Sequence, residues 1–223
     1  TDHDSTPEFE YDKIVRIGPQ GSTYRTEDIN VQWRNFGRYL AYELSPYDET
    51  ILLDTDYLVL DDSLLKLFDT KWDYKLMHHN TDENGPSYEM MGANSLPFVW
   101  ATVVLFRKCP RSQLFFEMVG RIQRNYNYYR LLYNIREGNY RNDYAFAIAD
   151  IILSGYNVNE IASIPWKMFT LSNSLSKLIF DNGVRAYFTE RNPLVLPKQN
   201  IHVMDKTYLQ TEQFRQFVES VCG

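Results

Sequence analysis

"ETILLDTDYLVLDD" (residues 49–62) puts an apolar run, "TILL", directly before two aspartates, Asp54 and Asp56, with only Thr55 between them. The run reads as a buried strand, so its end poses an electrostatic problem. Two carboxylates that close repel one another, and burial raises their pKa values unless a cation stands beside them. A divalent cation removes the conflict, and oxygen ligands suit Mg2+ or Mn2+. The competing reading is a solvated strand end in which one aspartate caps the next turn. Sixteen of the 223 residues are Asp, enough for about one D-x-D by chance, and Asp2-His3-Asp4 is a second instance. Only Asp54-Thr55-Asp56 closes an apolar strand.

Upstream, "DKIVRI" (Asp12 to Ile17) is expected to be a short strand, followed by a polar loop from Gly18 to Thr26. Val31, Phe36, Tyr39, Leu40 and Leu44 recur at helical steps, which predicts a helix from Ile29 to Leu44 stopped by Ser45-Pro46. Strand, helix, strand with short connections is the order of a parallel α/β sheet. Ligands of such sheets sit beyond the carboxyl ends of the strands, where Asp54 and Asp56 fall.

Downstream, "DDSLLKLFD" (Asp61 to Asp69) sets acids before an apolar i, i+3, i+4 pattern, as a helix start does. "WDYKLMHH" (Trp72 to His79) and "FVWATVVLFRK" (Phe98 to Lys108) follow as strands, the second apolar on both faces and so central. Between them Asn80 to Pro97 has loop composition and the length of a lid or binding segment. Helices are expected over Gln113 to Tyr133, Asp143 to Leu153 and Thr211 to Val221.

A hydrophobic content of 44% with 23% charged residues is the profile of a soluble globular protein, expected as one domain. The longest apolar run, Pro97 to Phe106, is half the ~20 residues of a membrane-spanning helix, and no signal peptide is expected from the sequence. Cys109 and Cys222 lack metal-type spacing and read as unpaired thiols of a reducing, cytoplasmic setting. The net charge of −6 excludes a protein that coats nucleic acid through its whole surface. Residues 121–144, however, hold five arginines (121, 124, 130, 136, 141) against Glu137 and Asp143, interleaved with six tyrosines and five asparagines. Such a stretch suits phosphate contacts and base stacking, or a tyrosine-rich amphipathic helix with one solvated face.

"FGRYLAYELSPYDETILLDTDYLVLDDSLLKLFD" (Phe36 to Asp69) resembles the core of GT-A type glycosyltransferases, in particular the glycogenin-like and lipopolysaccharide galactosyltransferase-like branch. The shared order is an arginine-bearing helix, an acidic turn, an apolar strand, D-x-D, an apolar triplet and a short helix. Later segments resemble the family in the same order. Trp100-Ala101-Thr102 stands where the family has a small-residue motif beginning in Asn. "YRNDYAFAIADIILSGYN" resembles the helix that contacts the transferred sugar, with Asp143 as its acid, and "IPWKMF" the loop after it. "NIHVMDK" (Asn200 to Lys206) resembles the C-terminal metal and diphosphate segment, with His202 and Lys206 matching but the family's glycine and terminal Pro-Trp missing.

The resemblance implies an α/β fold of GT-A (Rossmann-like) type: a mostly parallel sheet flanked by helices, one domain over residues 1–223. It also implies that the family's first strands lie outside the chain and that "KIVRI" is the third. The implied activity is metal-dependent transfer of a sugar from a nucleotide-diphosphate sugar, a UDP-sugar foremost, to an acceptor hydroxyl, with retained configuration. Asp54, Asp56 and His202 would hold Mn2+ or Mg2+, Asp54 also touching the ribose. Lys206 and Arg38 would stabilise the leaving diphosphate, and Asp143 would orient the sugar or the acceptor. The segments are also similar to glycosyltransferases of large bacteriophages, which implies a host-cytoplasmic enzyme acting on a modified DNA base through residues 121–144; a glycan, lipid-linked or protein acceptor is the other expectation. Two further readings stand beside it: a non-catalytic nucleotide-sugar binding module on this scaffold, and a nucleotidyltransferase using paired aspartates and two metals.

Overall fold

A computed structural model of the chain describes residues 11–15, 17, 23–26, 29–33, 36–87, 90–91, 96–136 and 138–222. It begins with β1 (Thr23–Thr26), β2 (Ile29–Trp33), a 3-10 turn over Phe36–Leu40, α1 (Ala41–Leu44), β3 (Glu49–Leu53) and β4 (Tyr57–Leu58). Next come α2 (Ser63–Lys66), a 3-10 turn over Leu67–Asp69, β5 (Tyr74–Met77), β6 (Asn80–Asp82), β7 (Gly85–Pro86), β8 (Met90–Met91) and β9 (Leu96–Pro97). β10 (Trp100–Arg107), α3 (Pro110–Arg124), α4 (Tyr126–Leu132) and α5 (Asn142–Leu153) form the middle of the chain. β11 (Met168–Leu171), β12 (Leu175–Phe180), β13 (Gly183–Phe188), β14 (Leu194–Pro197), β15 (Ile201–Val203) and α6 (Glu212–Cys222) complete a mixed α/β architecture of several sheets.

The eight-residue β10 is the centre of the first sheet, because its apolar run has no polar face to leave in water. It pairs antiparallel with β3 on one edge and β5 on the other, and Val103 to Phe106 are fully buried. Phe115, Phe116, Val119 and Ile122 of α3 and Phe146 and Ile148 of α5 join Val104, Phe106 and Tyr74 in the largest core cluster. Pro110 opens α3, where its missing N–H costs nothing.

The second sheet runs β4-β15-β11-β6-β7. β11 lies parallel to both β15 and β6, while β4 meets β15 antiparallel. A three-stranded meander, β12-β13-β14, shares a second cluster with β15 and α6. The turn Asp54-Thr55-Asp56 is therefore the crossing from one sheet to the other: β3 belongs to the first and β4 to the second. That is why the strand ends on it.

Several expectations are corrected. The sheets are mostly antiparallel, because β3 takes β10 as its partner instead of a strand one helix upstream. The helix expected from Ile29 holds only from Phe36, as a 3-10 turn leading into α1. "INVQW" alternates apolar and polar residues strictly and forms β2, paired with β1, which falls in the stretch expected to be loop. Asp12 to Val15 and Ile17, expected as a strand, lie outside the strands. The helix expected from Gln113 to Tyr133 breaks at Asn125, whose Nδ2 donates to the Arg121 carbonyl (2.9 Å) and competes with the helix backbone. The stretch from Asn80 to Pro97 is built of short paired strands in its described parts. The strands at Trp72 to His79 and Phe98 to Lys108, the helix starting after Asp61, and the helices near Asp143 to Leu153 and Thr211 to Val221 form as expected.

Candidate functional site

All six residues singled out in the sequence, Arg38, Asp54, Asp56, Asp143, His202 and Lys206, line one cavity of about 260 Å3. They reach it from four places: the 3-10 turn before α1, the inter-sheet turn, the first turn of α5, and β15 with the loop after it. The turn itself is held from both sheets. Asp54 N–H donates to the Thr102 carbonyl of β10 (3.0 Å), and Val203 N–H of β15 donates to the Asp56 carbonyl (2.9 Å).

Each carboxylate in the cavity faces a cation. Arg38 Nη1 pairs with Asp54 Oδ1, Lys206 Nζ with Asp56 Oδ2, and Arg141 Nη2 with Asp143 Oδ2 (2.7 Å). Charges are thus balanced pairwise, which answers how an apolar strand tolerates two aspartates. The balance leaves specific atoms unused. Asp56 is buried, and its Oδ1 has no hydrogen-bond partner among the described residues; the same holds for Arg38 Nε and Nη2 and for Trp100 Nε1.

The tautomer of His202 follows from a chain of hydrogen bonds. Asn80 Nδ2 donates to Ser87 Oγ (2.9 Å), so Asn80 Oδ1 accepts from Thr170 Oγ1 (2.7 Å). The single hydroxyl proton of Thr170 is then spent, and its contact with His202 Nδ1 (3.3 Å) requires Nδ1–H as the donor. In the neutral imidazole the lone pair lies on Nε2, 3.5 Å from Asp56 Oδ2. Two acceptors that close favour a cation between them.

Among the described residues no three of His, Cys, Asp and Glu form a metal-ligating group. Of the expected set, Asp54 pairs with Arg38, while Asp56 and His202 face one another and suit a divalent cation as oxygen and nitrogen ligands. Asp143 is also more constrained than expected. Its Oδ1 accepts from Ala101 N–H (3.1 Å) and its Oδ2 from Arg141 Nε and Nη2, which ties α5 to the start of β10.

Arg141, Trp100, Tyr140 and Thr102 also line the cavity and were not among the candidates. Arg141, two residues before Asp143, was legible as a same-side neighbour. Burial, and then the Asp143 charge, hold the Tyr140 hydroxyl well above its ordinary range, so it remains a donor, to Asn142 Oδ1 at 3.0 Å. Three of the six tyrosines of residues 121–144, Tyr126, Tyr129 and Tyr140, are core residues and are closed to base stacking.

No protein-family model matches the chain, and neither a curated protein nor a solved structure matches it. No helix of the described residues is long and apolar enough to cross a membrane. Cys109 carries no disulfide.

Proposed function

We propose that this cavity binds a nucleotide-diphosphate sugar together with a divalent cation and transfers the sugar to an acceptor hydroxyl. The observation that carries the reading is the set of exchangeable charge pairs around Asp56, whose buried Oδ1 has no hydrogen-bond partner among the described residues and whose Oδ2 lies 3.5 Å from His202 Nε2. Mn2+ or Mg2+ bound there would supply Lewis-acid stabilisation of the leaving diphosphate. Lys206, whose side chain is 58% exposed, leaves Asp56 and turns its ammonium to the diphosphate. Arg38 keeps Asp54 in place with Nη1 and offers Nε and Nη2 to a phosphate oxygen. Trp100 Nε1–H offers a neutral donor to a sugar hydroxyl. The GT-A resemblance of residues 36–69 points the same way and, through its branch, to retention.

A non-catalytic nucleotide-sugar binding module is the second reading, favoured by Asp143: both its oxygens are already engaged. Thermal unfolding with UDP-glucose, UDP-galactose and GDP-mannose, each with and without Mn2+, tests the first step. At a hundredfold excess over Kd, one donor is expected to raise Tm by roughly 5–10 °C, only with Mn2+. In Asp56→Ala that shift disappears relative to the variant's own Tm. Failure of every donor to shift Tm overturns the binding proposal. A shift without any release of the nucleoside diphosphate, with water or an added acceptor, favours the binding module.

A further inference from the structure

Residues 121–136 hold four arginines and no acidic side chain, in a chain of net charge −6. With Tyr126 and Tyr129 turned into the core, this segment presents to solvent an apolar patch set among arginine and asparagine side chains. Tyr128, Leu131 and Leu132 are 64%, 69% and 58% exposed and share the outer face of α4 at i, i+3 and i+4 spacing. Arg130 flanks that face, its Nε donating to Asn127 Oδ1 (2.9 Å).

The apolar surface continues across to the end of α5. The Tyr133 and Tyr156 hydroxyls are hydrogen-bonded at 2.7 Å. Gly155 and Tyr156 both lie in the left-handed region, at φ 65° and 63°, where a bulky side chain is uncommon. Tyr156 N–H donates to the Ile151 carbonyl (2.9 Å) and helps hold it there. The result is a Tyr156 ring 62% exposed, close to Val158 at 51%.

We propose that this face docks on an anionic lipid surface. Its arginines meet phosphate headgroups, while the two leucines, the rings of Tyr128 and Tyr156 and the Val158 side chain enter the headgroup and acyl boundary. Charge selects this occupant. A second copy of the chain, related by a two-fold axis, would bring like-charged arginines face to face. A single-stranded nucleic acid would need exposed rings in series for stacking, and two of the first three tyrosines of the segment are in the core.

The test is co-sedimentation of the full chain with vesicles of phosphatidylcholine alone and of phosphatidylcholine with phosphatidylglycerol. The wild type is expected to pellet with the second kind only, and to be released at high salt. Leu131→Ser with Leu132→Ser abolishes pelleting with Tm unchanged within a few degrees, since both side chains are exposed. Arg130→Gln and Arg136→Gln each weaken binding roughly fivefold. A wild type that stays in the supernatant with both vesicles overturns the proposal. So does light scattering that shows a dimer dissociated by the leucine substitutions, or a twelve-nucleotide single-stranded DNA that binds the wild type and loses the double variant.

Discussion

Asn200 holds the connection between β4 and α2 from about 140 residues away along the chain. Its Oδ1 accepts from Leu60 N–H (2.6 Å) and Asp61 N–H (2.9 Å), and its Nδ2 donates to Asp61 Oδ1 and Ser63 Oγ. Asn200→Ala leaves those backbone donors without a protein acceptor in a mostly buried place, and is expected to lower stability by about 2–3 kcal/mol in urea titration. Asp205 has the same office for Lys206: its carboxylate accepts from Leu175, Thr207 and Tyr208 N–H, at 2.8, 3.1 and 3.0 Å. In Asp205→Ala the loop bearing Lys206 loses its anchor. Weakened donor binding, read as a smaller thermal shift than wild type under the same nucleotide and Mn2+, is the expected outcome. Neither anchor was legible in the sequence, since each works through partners far away along the chain. The charged and metal-type residues were legible because their chemistry is unusual at a strand end or an apolar strand. Their pairing was not, and Asp54 with Arg38 is the plainest case.

Strand lengths could be read from composition, but strand partners could not, because partner choice is set by contacts that no local period encodes. β10 was recognisable as central from its two apolar faces, yet nothing in it announces that both neighbours run antiparallel. "INVQW" is ambiguous for a different reason: it alternates apolar and polar residues, yet stands directly before the helical spacings of Phe36 to Leu44. One contact between elements gives a sharp test. A Cβ on Gly183 would stand 2.4 Å from the Leu196 carbonyl oxygen, where β13 and β14 pair. Gly183→Ala is expected to cost about 1–3 kcal/mol. Gly138→Ala, with no atom within 4 Å of the new methyl, should stay within about 0.5 kcal/mol of wild type. Urea titration of the two variants side by side separates the crowded site from the open one.

Over the whole molecule, β10 contributes to two buried clusters, one with α3 and α5 and one with β4, β5 and β11, while the meander and α6 form another. Hydrogen exchange should follow this division. The amides of Val103 to Phe106 are expected to exchange only through global opening, and those of α6, a helix with several exposed positions, orders of magnitude sooner. Equal protection of the two would contradict it. The α/β class was legible from alternating helix and strand patterns, but the division into several sheets was not, because the step from β3 to β4 spans only three residues and reads as one strand with a charged interruption. That step has a mechanical meaning. Asp54 is tied to β10 and Asp56 to β15, so the short turn is a polar seam between two sheets that also share an apolar cluster of Met77, Val103 and Leu105 with Tyr57 and Met168. Anything gripping Arg38 and Asp54 on one side and His202 and Lys206 on the other acts as a rivet across that seam. Under a pulling force applied through the two sheets, the riveted seam should yield at a higher force than the bare one.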